Sequence, residues 1–155
     1  MDVPAPRFRR IAALVAIDAD EKVALFQRPE SDPSHWALPQ SSVRSTESYA
    51  EAAARVAERY FRGRAVRWGS VIGRRWARPP DGTSAVRLEE HVFLARIGSP
   101  MRSDPFAADR PDLTARWTPR AVLGDVLREP HSDRTTDLVD GYLDGWLPAG
   151  PITLF

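Results

Sequence analysis

The sequence predicts an α/β fold, a mixed sheet packed between helices in an α/β/α sandwich. Three observations predict it. Apolar, alternating or β-branched runs recur at residues 9–17, 22–28, 66–77 and 86–97, which are strand signals. An alanine-rich helical pattern at residues 48–61 separates the first two runs from the next two. Two further helical patterns close the chain, so helices are available for both faces of the sheet. The length of 155 residues suits one domain. No internal repeat or linker divides it, which predicts a short arm at 1–7, one domain at 8–147 and a tail at 148–155.

Each element has its own signal. Residues 9–17 are mostly apolar, and Asp18, Ala19, Asp20 and Glu21 form a turn into a second strand through Val23, Leu25 and Gln27, which makes a hairpin. Residues 29–35 are dense in turn formers and predict a loop. Trp36, Ala37, Leu38 and Pro39 lead into a short extended stretch ending near Val43. Ser45 to Ser48 supply capping hydroxyls and an early acid for the helix, whose Ala53, Ala54, Ala57 and Phe61 are predicted to face the core. Arg59, Arg62 and Arg64 suit the negative end of its dipole. The strand at 66–77 is predicted to break at Gly69 or Gly73. A turn at 79–82 precedes the long strand at 86–97, and a polar loop at 98–111 precedes a short strand at 113–117. Thr118 and Pro119 mark the start of a helix to Leu127. Ser132 or Asp133 caps the last helix, in which Leu138, Tyr142 and Trp146 recur every fourth residue, as do Val139, Leu143 and Leu147.

Composition excludes several function classes. There is no cysteine, so disulfides, thiolate metal sites and cysteine nucleophiles are ruled out. The three histidines have no metal-ligand spacing, which argues against zinc. No nucleophile elbow and no phosphate-loop lysine motif is present. No apolar run approaches the roughly 20 residues of a membrane span. The first ten residues lack a signal core, and the expected location is the cytoplasm. A net charge of +1 makes nucleic acid an unlikely partner. Lys22 is the only lysine, so 21 of 22 basic residues are arginine, the side chain whose planar fork best clamps phosphate.

Residues 36–66 read WALPQSSVRSTESYAEAAARVAERYFRGRAV. This resembles the Nudix box, G-x5-E-x7-R-E-U-x-E-E-x-G-U, where U is a bulky aliphatic residue. Ser41 takes the opening glycine position, Glu47 the first glutamate and Arg55 the arginine, with both spacings kept. The approach through Leu25, Phe26, Gln27 and Arg28, the strand Glu90 to Ala95 and the run Arg116 to Pro119 resemble the family too. The resemblance spans about residues 8–147 and implies the Nudix fold. It also implies hydrolysis of a nucleoside diphosphate linked to another group, with magnesium or manganese. Glu47 and Arg55 are then an ion pair locking loop to helix, and Arg28 contacts substrate phosphates.

The departures fall on the metal ligands. The three glutamate positions hold Val56, Arg59 and Tyr60, and the closing glycine and aliphatic positions hold Arg62 and Gly63. On a helix turning about 100° per residue, positions 56, 59 and 60 share a face, whereas Glu58 lies roughly opposite and Glu51 well aside. Magnesium requires hard oxygen ligands, so no metal is expected there. Arg59 can instead bind a phosphate directly, and Tyr60 can stack on a ring or donate a hydrogen bond. Both equally suit a plain helix surface. Trp36 is a candidate base-stacking residue, though packing is its commoner role. Glu89, Glu90 and His91 are the densest ionisable cluster. Alternation puts Glu89 and His91 on one face and Glu90 on the other, where Glu90 is either a general base or a strand-edge charge.

Three functions remain open. The first is a Nudix-like protein that binds a phosphorylated or nucleotide-like small molecule through Arg28, Trp36, Arg59 and Tyr60 without metal-dependent hydrolysis. The second is an active hydrolase with magnesium or manganese held by Glu47, Glu51 and Glu90. The third is an interaction domain whose apolar tail, Ile152 to Phe155, docks on a partner or on a second copy in a homodimer.

Overall fold

The computed structural model describes residues 7–27, 36–77, 86–98, 115–127, 132–148 and 150–154. Arg28, His35, His131 and most of the predicted arm and polar loop lie outside the described residues.

β1 (Arg7–Ile17) is the central strand. Ala12 to Ile17 have no exposed surface, because both sheet faces are covered there. That explains why this segment is continuously apolar rather than alternating. The order across the sheet is β3 (Trp36–Ala37), β2 (Lys22–Gln27), β1, β6 (Val86–Ile97), β5 (Val66–Ala77) and β8 (Gly150–Thr153). β4 (Gln40–Ser42) pairs with β1, and β7 (Ala115–Pro119) pairs with β2. β1 and β6 run parallel in unbroken register from Arg7 opposite Val86 to Ile17 opposite Arg96, while β5 lies antiparallel to β6. The sheet is therefore mixed, as predicted.

The hairpin turn is built by Asp18, whose Oδ1 accepts from the backbone N–H groups of Asp20 (3.0 Å) and Lys22 (2.8 Å). In β5 the register shifts between Trp68 and Ile72. The shift contains Gly69, one of the two glycines at which a break was predicted. A Cβ on Gly69 would sit 3.2 Å from the Tyr142 ring and 3.3 Å from the Leu94 carbonyl oxygen, tighter than most such contacts, so glycine suits this close approach.

α1 (Tyr49–Tyr60) covers one sheet face. Ser48 is its N-cap, with Oγ accepting from the Glu51 N–H at 3.1 Å. The buried stripe is Ala52, Ala53, Val56, Ala57 and Phe61, packed on Ala12, Leu14, Ala16 and Phe93. The predicted stripe is corrected at one place: Ala54 is exposed and Val56 is buried. Alanine contributes little apolar area, so the bulkier Val56 and Phe61 set the rotation of the helix.

α2 (Arg120–Val126) and α3 (Ser132–Leu143) cover the other face through Leu123, Leu127, Leu138 and Val139. Arg120 Nη1 donates to Asp144 Oδ1 at 2.8 Å and joins the two helices. Thr118 is not the cap of α2; it belongs to β7, and its hydroxyl donates to the Arg116 carbonyl, while Pro119 occupies the cap position. α3 ends at Leu143, and Gly145 turns the chain at φ 75. Trp146 consequently leaves the predicted stripe and is 62% exposed.

The segment 148–155, read from the sequence as a tail, contributes β8, parallel to β5 at the sheet edge. Leu154 donates its N–H to the Arg74 carbonyl at 2.7 Å, and its side chain fills the space above Gly73. Among the described residues no helix is long and apolar enough to cross a membrane.

Candidate functional site

The segment linking β4 to α1 is fastened by one carboxylate. Arg55 Nε donates to Glu47 Oε2 at 3.0 Å and Arg55 Nη2 to Glu47 Oε1 at 2.9 Å, a two-pronged ion pair. The same guanidinium donates to Ser41 Oγ and to the Ser42 carbonyl, both at 2.9 Å. Glu47 Oε1 also accepts from the Arg44 N–H at 3.1 Å, and Arg10 Nη2 donates to the Arg44 carbonyl at 2.8 Å. Hydrogen bonds from Arg55 and the Arg44 backbone hold the Glu47 carboxyl at about 2, well below the usual carboxylate range. The Ser41 hydroxyl at the opening-glycine position is thus a ligand of Arg55.

A folded-state pKa below the unfolded one contributes stability above the unfolded value of about 4.3, and that contribution is lost as pH falls toward 2. The difference in melting temperature between the wild-type chain and Glu47→Gln is expected to be widest at neutral pH and to close toward pH 2. A difference that stays constant across this range, measured by calorimetry, would show that Arg55 does not hold the ionised form.

Farther along α1, the positions that carry metal-binding glutamates in the Nudix box take three different settings. Val56 is 1% exposed and lies in the core. Tyr60 packs edge-on against Phe26, with ring centroids 4.7 Å apart. Arg59 is exposed, with Cζ 5.7 Å from the Tyr60 ring centroid. A valine, a phenol and a guanidinium provide no hard anionic oxygen, so this donor set does not fit a divalent cation. Among the described residues no three His, Asp or Glu side chains are grouped to hold a metal ion.

The structure does not gather the candidate residues at one place. Arg59 and Tyr60 share the α1 face of the sheet with Phe26. Trp36 packs against the opposite cluster, beneath Arg116 at 5.4 Å from its ring centroid. Glu90 is also on that opposite face, which corrects the expectation that it could join Glu47 around a metal or point into a pocket beside α1. It accepts from Arg75 at 2.8 and 3.0 Å, and Arg75 donates onward to Thr135 of α3. Arg28 lies outside the described residues.

Alternation separates Glu89 and His91 from Glu90, as the sequence predicts, and reveals a cluster beside the α1 N-terminus. The Tyr49 ring stacks on His91 with centroids 3.5 Å apart, and the Tyr49 hydroxyl donates to the Glu89 carbonyl. Burial and the nearby Glu89 push Tyr49 up to about 12, while burial pushes His91 down. Glu89 Oε1 is 3.6 Å from His91 Nε2, beyond hydrogen-bond reach. Arg10 Cζ lies 5.6 Å from the Tyr49 ring centroid, and sequence reasoning found neither residue in this cluster, because their meeting depends on long-range packing.

No family model matches the sequence, and no curated protein matches it. Solved structures do. A Nudix hydrolase from Nitrosomonas europaea has a TM-score of 0.65 at 14% identity, covering 92% of this chain and 93% of its own. A C. elegans Ap4A hydrolase has a TM-score of 0.63 at 14% identity, covering 89% of this chain and 99% of its own. A MutT protein from Methanosarcina mazei Go1 has a TM-score of 0.60 at 16% identity, covering 93% and 98% respectively. At such identities the likeness concerns the fold alone, and the fold of this chain is that of the Nudix superfamily.

Proposed function

We propose that this Nudix-fold protein has a degenerate box and binds a phosphorylated or nucleotide-like small molecule without the metal-dependent diphosphate hydrolysis that an intact Nudix box implies. The observation that carries this reading is the α1 face, where Val56 sinks into the core and Arg59 lies over a Tyr60 packed on Phe26. A guanidinium there supplies positive charge and directed donors to a phosphate without a cation. The exposed edge of this arginine–tyrosine pair offers a flat surface for a ring. The names of the neighbours support the ligand class: one is an Ap4A hydrolase and another is a dihydroneopterin triphosphate pyrophosphohydrolase. Glu47 and Arg55 act as a structural pair in this reading, and Arg28 is a further phosphate contact.

The test is thermal-shift measurement in EDTA against a panel of nucleoside diphosphates and their conjugates. A rise in melting temperature that Arg59→Ala abolishes supports the proposal. Heat release on manganese titration, with turnover that Glu47→Gln removes, would replace it with an active hydrolase.

A further inference from the structure

A second feature stands away from the α1 face. An open groove of about 560 Å³ lies at the carboxyl ends of the parallel strands β1 and β6. Ala19, Ala65 and Val66 supply its accessible apolar surface, Ile17 and Ile97 lie behind with almost no exposed surface of their own, and Arg67 and Arg96 line it as well. It exists because Phe61 ends α1 and the chain turns at Gly63 before starting β5. Gly98 then donates its N–H to the Ala65 carbonyl at 2.8 Å, closing the groove's floor.

Arg67 and Arg96 are direct partners across the antiparallel β5–β6 pair. Side chains directly opposite project from one face with Cβ atoms about 5 Å apart, and like charges placed so are destabilising. Neither guanidinium has a carboxylate partner among the described residues. Asp18 is the acid on the groove wall, but its Oδ1 is engaged by the Asp20 and Lys22 backbone N–H groups of the hairpin turn. Arg96 is steadied over the Tyr142 ring, 5.5 Å from its centroid, a contact to the flat face of the guanidinium that spares its in-plane donors. Two forks side by side, in no ion pair among the described residues and next to the accessible surface of Ala19 and Ala65, suit a dianion that carries an apolar or planar remainder.

We infer that this groove is a binding site for the phosphate group of a small phosphomonoester, with Arg67 and Arg96 as its two clamps. The non-ionic part of the ligand lies against Ala19, Ala65 and Val66. The inference does not rest on the α1-face reading, since neither Arg59 nor Tyr60 lines the groove.

The experiment is an amide chemical-shift titration of the labelled full chain in EDTA at low salt, with inorganic phosphate and separately with adenosine 5′-monophosphate. Saturable shifts at the Ala19, Ala65 and Gly98 amides are expected with both probes, with tighter binding of the nucleotide. Arg67→Gln is expected to weaken both by about tenfold or more, the value of a charged hydrogen bond. Without ligand, Arg67→Gln is expected to raise the melting temperature at low salt, and the gain to shrink as salt screens the repulsion. Shifts confined to Arg59 and Tyr60, no saturation up to about 20 mM phosphate, or unaltered affinity in Arg67→Gln would overturn the site. An unaltered melting temperature in that variant would overturn the repulsion on which the argument depends. The α1-face proposal fails separately, through an EDTA thermal shift that Arg59→Ala leaves intact.

Discussion

Replacing Glu90 by leucine is expected to lower the unfolding free energy by about 3–5 kcal/mol, because it removes the carboxylate that accepts two hydrogen bonds from a buried guanidinium. For a domain of this size that is a melting point lower by roughly 6–20 °C. The Arg75 and Glu90 side chains are only 5% and 13% exposed, their ion pair measures 2.8 Å, and Arg75 also donates to Thr135. The pair therefore ties β5 and β6 to α3. Removing Glu90 takes away a two-pronged acceptor of Arg75 in a region that water hardly reaches. Replacing both, in Arg75→Met with Glu90→Leu, is expected to recover most of the loss, since two charges no longer need desolvation. Thermal unfolding of the two single variants and the double variant completes the cycle. A Glu90→Leu chain as stable as wild type would mean that the carboxylate is not needed for the fold, and would return it to the list of candidates for chemistry.

A second large effect is expected from Val56→Glu, which restores one carboxylate of the Nudix box. Val56 is 1% exposed and packed within the α1 core cluster, so the new group would be buried without a partner. The expected loss is on the order of 3–5 kcal/mol at neutral pH. Burial raises the pKa of such a carboxyl, so the penalty is lightest near the unfolded value of about 4.3 and grows as pH rises above it. Magnesium is expected to leave the loss in place, because Arg59 and Tyr60 give the ion no further oxygen anion. Recovery of stability on adding magnesium would reveal a cation site on this face and would end the metal-free reading. The substitution thus probes both the packing of the helix and the chemistry of its surface.

How much of this was legible beforehand can be judged from particular residues. The Glu47 and Arg55 pairing was readable because a seven-residue interval on a known local pattern brings a loop acid to a helix base. The opposite facing of Glu90 and His91 was readable because side chains alternate along any strand. The rotation of α1 was not, since five alanines leave a nearly uniform apolar surface, and the burial of Val56 is set by packing in a cluster that includes Leu14 and Phe93 of the sheet. The partner of Glu90 was not readable either: Arg75 meets it through the register shift between Trp68 and Ile72, which changes every pairing beyond it. The tail was misread for a related reason. A four-residue strand has no periodicity to detect, and its hydrogen bonds go to β5, far back in the chain.

The amino-acid order alone determined the α/β class and the absence of carboxylates at three box positions, and through its resemblance to the Nudix box it implied the loop-to-helix lock, because these features are written in periodicity, residue type and short spacings. Only the folded chain decided which sheet face receives Trp36 and Glu90. It alone set Arg67 against Arg96 and folded the last residues into an edge strand. Those outcomes depend on strand register and on packing across the sheet, where contacts join residues separated by most of the chain.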